Sequence, residues 1–279
     1  MEHIVRTVYG AYLQTCQLLG VPMVLKPNST LNEKFNIHTN ISIADSDKPS
    51  MRYVTIGNGG HRMVTGTNGI GRPEVIQHTP RNAALYNHLP FILRLPHDDL
   101  APIERAKYRL RRLETHDGVT YVAYYLKLLD MTNTVPQLEL RTVVDNITTA
   151  TVFNPTIADL NPTPPALNSG GVLTTTGDYI AATGKVPFTM VSNEIDEFLN
   201  VANIIYGDDG YAMISEIGLC SGVDRTVMGD FNGASIGYTD AVGVQIINFI
   251  SKFIHAPSNN AGINIEFDVG SVEPLLVLV

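Results

Sequence analysis

The sequence predicts a β-rich α+β fold: antiparallel sheets in a β-sandwich-like body, a few helices, and an extended N-terminal helix-plus-arm. Three observations carry this. Short β-branched and aromatic runs recur along the chain, as in Met51–Ile56, Val119–Leu129 and Ile263–Val269. The most apolar stretch, Tyr211–Arg225 with its sequel Tyr238–Phe249, reads as buried strand. Helical periodicity is confined to a few segments, with Gly and Pro clusters between them.

In chain order, residues 3–19 read as one amphipathic helix. Ile4, Val8, Tyr12, Cys16 and Leu19 form its stripe, and Gly20 and Pro22 stop it. Pro27–Ser50 is polar, with apolar beats at Phe35, Ile37, Ile41 and Ile43, and reads as an arm that wraps its own body or reaches a neighbour. Strand Met51–Ile56 ends at Gly57-Asn58-Gly59-Gly60, read as a turn needing positive φ. An irregular, packed segment follows through Pro96. Asp98 and Asp99 offer N-caps for a helix over Leu100–Leu113, with Pro102 in the first turn and Arg109, Arg111 and Arg112 near its end.

Val119–Leu129 is a strand, and Leu138–Val144 with Thr149–Phe153 a hairpin. Asn154–Gly177 is a Pro/Gly-rich crossover. Strand Lys185–Val191 leads to a helix over 193–206, capped by Ser192 or Asn193. A strand over Tyr211–Arg225, a Gly-rich loop over Gly229–Gly237 and a segment over 238–254 follow. That last segment fits either period and is assigned to strand because Gly243 and its β-branched residues disfavour helix. By composition the chain divides into 1–50 (helix and arm), 51–160 (β-rich, packed loops), 161–184 (crossover) and 185–279 (mixed, β-rich).

The 279 residues carry a net charge of −8, which argues against a nucleic-acid-binding surface, since that needs Lys and Arg to neutralise phosphates. Charged residues make up only 16 %, where a solvated monomer carries about a quarter, so neighbours are expected to cover part of the surface. Two cysteines give no disulfide framework and fit a cytosolic product. Glu2 and the lack of a long apolar run predict neither signal peptide nor membrane span.

The candidates for chemistry are weak. Gly233-Ala234-Ser235-Ile236-Gly237 spells a nucleophile elbow, but a strand-to-helix turn is not evident around it. His61, His78, His88, His97 and His116 have no metal-ligand spacing. Gly66–Gly71 lacks the sequel of a phosphate loop. Asp98-Asp99 and Asp208-Asp209 read as caps and turns. Arg105, Lys107, Arg109, Arg111 and Arg112 read as a solvated helix face or intersubunit ion pairs. No catalytic, cofactor or metal site is expected. Glu216, alone among apolar neighbours, requires an Arg or backbone partner if buried.

One resemblance goes beyond composition. The string ISEIGL (214–219), followed by Gly-Val-Asp, resembles the N-terminal attachment domains with which phage tail fibres dock on the baseplate. RYVTIGNGGHR (52–62), ALYNHLPFILR (84–94), a Tyr-rich strand, NPTPP (161–165) and residues 199–225 together resemble virion structural proteins of contractile-tailed bacteriophages, particularly baseplate-wedge proteins. The resemblance spans Met51–Val279; residues 1–50 have no counterpart. It implies a β-rich, non-enzymatic tail subunit, most simply of the baseplate wedge, assembled in the host cytoplasm, carried in the virion and present in several copies among other tail proteins. A neck, collar or head–tail connector subunit is the alternative within that class, and a serine hydrolase using Ser235 the remote one outside it. The interface candidates are Ile4, Val8, Tyr12, Leu19, Phe35, Ile37, Arg109, Arg112, Leu276 and Leu278, the last two in an apolar tail that needs a sheet or an interface.

Overall fold

The computed structural model of the protein describes residues 3–67, 69–145, 147–164, 173–231, 234–258 and 262–278. Strand accounts for 51 % and helix for 19 %, in antiparallel sheets with few helices: a β-rich α+β fold. The chain forms two compact units, residues 1–129 with 189–264 and residues 130–188 with 265–279. They follow strand pairing, whereas the divisions at 51, 161 and 185 follow composition.

The first unit begins with strand β1 (His3–Arg6) and helix α1 (Val8–Leu19), followed by α2 (Leu31–Phe35), β2 (Ser50–Gly57), β3 (His61–Thr65), β4 (Gly71–Val75), β5 (His88–Leu89) and β6 (Ile92–Arg94). Next come α3 (Pro102–Arg105), β7 (Tyr108–His116) and β8 (Val119–Leu128). The second unit holds β9 (Gln137–Val144), β10 (Ile147–Val152), α4 (Ile157–Leu160) and most of β11 (Leu173–Met190). The chain re-enters the first unit for α5 (Ser192–Tyr206), β12 (Met213–Phe231) and β13 (Ala234–His255), and ends in β14 (Ile263–Leu278), most of which belongs to the second.

An eight-stranded sheet in the order β1-β13-β12-β2-β8-β6 organises the first unit, with β5 joined to β2 and β7 to β8. The β12–β13 hairpin is its spine and pairs in register from Met213↔His255 to Phe231↔Ala234, with three shifts. Tyr53, Ile56, Leu89, Phe91, Tyr124, Ile217 and Phe249 are among the fully enclosed core residues. Helix α5 places Ile195, Phe198, Val201 and Ala202 inward against β6.

Several expectations are corrected. Residues 3–19 are not one helix: His3–Arg6 pair with β13, and the helix starts only after Thr7. The Thr7 hydroxyl accepts from Gly10 N (3.0 Å) and donates to Ile246 O (2.8 Å), ending the strand and capping the helix together. Helix α1 buries Gly10, Leu13 and Cys16; of the stripe read by periodicity only Cys16 is buried, while Val8 and Leu19 are exposed. A Cβ on Gly10 would lie 2.5 Å from Ile247 O, so only glycine lets α1 sit this close to β13.

The helix expected over Leu100–Leu113 shrinks to α3, and the arginines beyond it lie on β7. Arg109 reaches Asp224 on β12 and Arg111 the buried Asp99, while Arg112 pairs with Glu114 on its own strand, and these tertiary contacts override the exposed-helix reading. The segment after Gly60, expected to be irregular, contains β3, β4, β5 and β6. The Gly-rich loop expected over Gly229–Gly237 is mostly paired strand of the β12–β13 hairpin. Helix α5 has no side-chain cap from Ser192 or Asn193; Glu194 reaches back to Val191 N (3.0 Å) instead.

The arm wraps its own unit. Asn32 donates to Ala241 O (2.9 Å) and accepts from Val244 N (2.9 Å), standing in for a peptide group on the outer edge of β13. Gln245 donates to Ser29 Oγ (2.6 Å) beside it.

Thr7→Ala is expected to cost about 1–2 kcal/mol, the upper range for a lost N-cap, because the buried Thr7 hydroxyl also binds β13. Thr7→Ser should retain most of that. The check is the denaturant midpoint; an unchanged midpoint in Thr7→Ala would remove the cap from the account.

Candidate functional site

Glu216 lies on β12 with its side chain wholly enclosed. Its Oε1 accepts from Gly59 N (2.9 Å) and Asn87 N (2.9 Å), and its Oε2 from Tyr86 N (2.9 Å) and His78 Nε2 (2.7 Å). Three of these partners are backbone N–H groups, which can only donate, and they take both oxygens; an ionised carboxylate fits them, with the His78 nitrogen placed as the fourth donor. Burying such a charge costs several kcal/mol. Hydrogen bonds to a charged group return about 1.5–3 kcal/mol each, so four of them outweigh the loss.

Glycines make the room. Glu216 pairs with Gly57 across the ladder, and a Cβ there would lie 2.2 Å from Asn87 O and 2.7 Å from Glu216 Oε1. Gly60 N donates to Ser215 Oγ (3.0 Å), and its absent Cβ leaves space for the Glu216 side chain. The turn 57–60 was expected to need positive φ. None of its glycines has it; they are there for close approach. His78 is stacked between Tyr86 (3.9–4.1 Å being the span of its two ring contacts) and Phe249, both rings nearly parallel to it.

A second carboxylate anchors the far end of the sheet. Asp240 accepts from Leu110 N, Arg111 N (3.2 Å) and His38 Nε2 (3.0 Å), holding the enclosed Leu110 at φ 52°. Asp99 takes Arg111 through two nitrogens (3.1 and 2.9 Å) and the Tyr124 hydroxyl (2.7 Å). Asp224 takes Arg109 Nε (2.8 Å) and the Tyr53 hydroxyl (2.9 Å). Glu194 takes Lys127 (2.6 Å) and the Tyr108 hydroxyl (2.8 Å). Burial first, then the adjacent carboxylates, push the Tyr53, Tyr108 and Tyr124 hydroxyls well above their ordinary range. These phenols stay protonated as donors.

This chemistry is structural in kind. The His78–Glu216 pair is sealed from solvent and faces ring carbons and backbone. Ser235 is exposed on β13 opposite Asp230, without the strand-to-helix turn a nucleophile elbow needs. His88 accepts from Leu85 N and so donates from Nδ1 to Thr55 Oγ1 (3.1 Å). Among the described residues no group of three or more His, Cys, Asp or Glu is placed to hold a metal. A cavity of about 420 Å³ is lined by Arg105, Arg109, Ile236 and Tyr238. Its two guanidinium groups bind Leu100 O, Ala106 O, Tyr108 O and Asp224.

The sequence-derived interface candidates scatter. Ile4, Val8 and Leu19 are exposed near the chain start, and Tyr12 is half-buried. Ile37 and Arg109 are buried within the chain itself. Phe35 stacks on Tyr125 (4.2 Å), and Arg112 lies over both rings and donates to Phe35 O. Leu276 is exposed on β14; the side chain of Leu278 lies outside the described residues. Sequence reasoning marked Glu216, tested His78 only as a metal ligand, read Asp99 as a helix cap and left Asp240 unmarked. The His78–Glu216 and Asp240–Leu110 bonds span 138 and 130 residues, where no local spacing signals them.

Residues 1–278 match a family described as a family of unknown function, DUF7208. No curated protein and no solved structure matches the chain.

Glu216→Gln turns an all-acceptor group into one that points an amide N–H at backbone donors. The expected loss is about 3–5 kcal/mol, as for a broken buried pair, read by urea unfolding. A loss below about 1 kcal/mol would show the carboxylate is dispensable. Burial, and after it the charges of Lys34 and His78, hold His88 well below its ordinary value of 6.5. The fold accepts the neutral ring, so His88 adds full stability above that value. As pH falls below about 6.5 the unfolded chain takes up the proton and the contribution is lost. His88→Gln should therefore lose less stability than the wild type between about pH 7 and pH 5. Equal losses would count against it.

Proposed function

The chain belongs to this family of unknown function, and we propose that it is a non-enzymatic structural subunit of a contractile phage tail, working through protein–protein interfaces as a baseplate wedge component. The observation that carries the interface reading lies at the end of α1. Leu18 and Leu19 are 85 % and 67 % exposed there, and Val21 and Val24 follow them at the surface. Large aliphatic side chains gathered in one short segment are what a subunit interface covers.

Two further features support the reading. The segments that resemble wedge proteins, 52–62, 84–94 and 199–225, supply Gly59, Tyr86, Asn87 and Glu216, so they meet at one carboxylate. The ionisable groups inside the first unit are engaged in holding strands together, as a scaffold that bears load requires. The arm is engaged with β13, which leaves the end of α1 as the part of the N-terminal region free to clasp a neighbour.

Gold-labelled antibody against the chain should mark the baseplate of contractile-tailed particles that encode it. Label at the neck would favour a collar or connector subunit, and absence of the chain from purified particles would overturn the proposal. Leu18→Glu with Leu19→Glu should leave the unfolding midpoint within about 0.5 kcal/mol, as exposed substitutions do, and abolish incorporation. Normal incorporation would remove α1 from the interface.

A further inference from the structure

Among the described residues the sheet of the second unit runs β10-β9-β11-β14, so β10 and β14 are its two edges. They differ sharply. Strand β14 is blunted by Glu266, Asp268, Gly270, Glu273 and Pro274, the charges and breakers that natural edges carry against unwanted pairing. Strand β10, Ile-Thr-Thr-Ala-Thr-Val, has no charge, no proline and no glycine, and all six of its residues are exposed. Ile147 and Val152 are 67 % and 66 % exposed. An edge of this kind is a template for another strand.

The register says which backbone groups are free. β10 pairs with β9 through Ile147↔Val144, Thr149↔Thr142 and Thr151↔Leu140, and Phe153 N donates to Leu138 O (2.8 Å). Hydrogen-bonded pairs alternate along an antiparallel ladder, so the odd-numbered residues turn their N–H and C=O toward β9. Thr148, Ala150 and Val152 turn theirs outward.

We propose that β10 pairs antiparallel with β10 of a second copy of this chain, about a two-fold axis normal to the sheet at Ala150. Such an axis keeps each face on its own side, so only registers that join residues of equal parity are allowed. Centring on Ala150 sets Ala150 against its own copy, Thr148 against Val152, Thr149 against Thr151 and Ile147 against Phe153. Every outward N–H and C=O of Thr148, Ala150 and Val152 is then paired. Threonine meets threonine and aliphatic meets aromatic, both favourable cross-strand pairs, and no like charges face each other. Pro155, without an N–H, ends the ladder just beyond. The strand is complementary to itself, which is the argument for a second copy over an unrelated strand. The pairing needs only the second unit and holds whatever larger particle the chain joins.

Sedimentation of the full chain over a concentration series tests this. A reversible dimer is expected, and Ala150→Pro, which deletes outward N–H groups at the axis, should weaken it by about tenfold or more. Because that variant could fail to fold, single cysteines give a second reading; the native Cys16 and Cys220 are buried. Under mild oxidation Ala150→Cys should form a disulfide-linked dimer and Thr148→Cys should not, since residue 148 faces 152. A chain that stays monomeric at every concentration, or cross-linking equal at both positions, overturns the proposal.

Discussion

The structure of the first unit depends on one buried carboxylate. Glu216 gathers the 57–60 turn, the 86–87 loop, His78 and strand β12 through four hydrogen bonds. The same loops also close through Asn58 N to Asn87 O (3.1 Å), Gly60 N to Ser215 Oγ (3.0 Å) and the stacking of Tyr86 on His78, while the side chains of Tyr86 and Asn87 are exposed. A hydrophobic contact would place them only loosely. A carboxylate with fixed lone-pair directions places two backbone segments and a ring at once. Around it the chain gives way: Gly57 and Gly60 have no Cβ where one would strike backbone or the carboxylate itself.

The same device recurs at Asp240, which holds Leu110 and Arg111 by their N–H groups, and in the Asp99, Asp224 and Glu194 clusters. This bears on the low charge content of 16 %. Part of that charge is internal: Asp99, Arg105, Arg109, Arg111, Glu194, Glu216 and Asp240 are buried. The surface left is poor in charge and rich in exposed aliphatic residues such as Leu18, Leu19, Ile147 and Val152. Both features suit a subunit whose work is done by contact with other chains.

Much of the fold was legible in the sequence, and the failures have physical causes. Runs of β-branched and aromatic residues found β2, β8, β9 and β10, and β13 is assigned to strand because Gly243 and its β-branched residues disfavour helix where the periodicity fits either. This reading failed at Arg105–Arg112. Charge there suggested an exposed helix, yet Arg109 is held by Asp224, 115 residues on, and Arg111 by Asp99, which the sequence offers as a helix cap. It failed at 3–19 because a helical stripe was read through Thr7, where the hydroxyl ends a strand and starts a helix. At Glu216 the demand for a partner was readable from the apolar surroundings. The partners were not, lying 129–157 residues away. Gly57–Gly60 carried the signal in disguise: its glycines suggest a left-handed turn, but closeness to the carboxylate selects them.

Glu216 fixes the 57–60 and 86–87 loops on β12, and native-state amide hydrogen exchange tests this residue by residue. Loop amides ordinarily exchange through low-energy local opening, whereas core amides exchange through unfolding of a cooperative unit. The N–H groups of Gly59, Tyr86 and Asn87 should exchange as slowly as those of β12 beside them, despite their place in loops. Exchange at the rate of the exposed turns elsewhere in the unit would contradict the account.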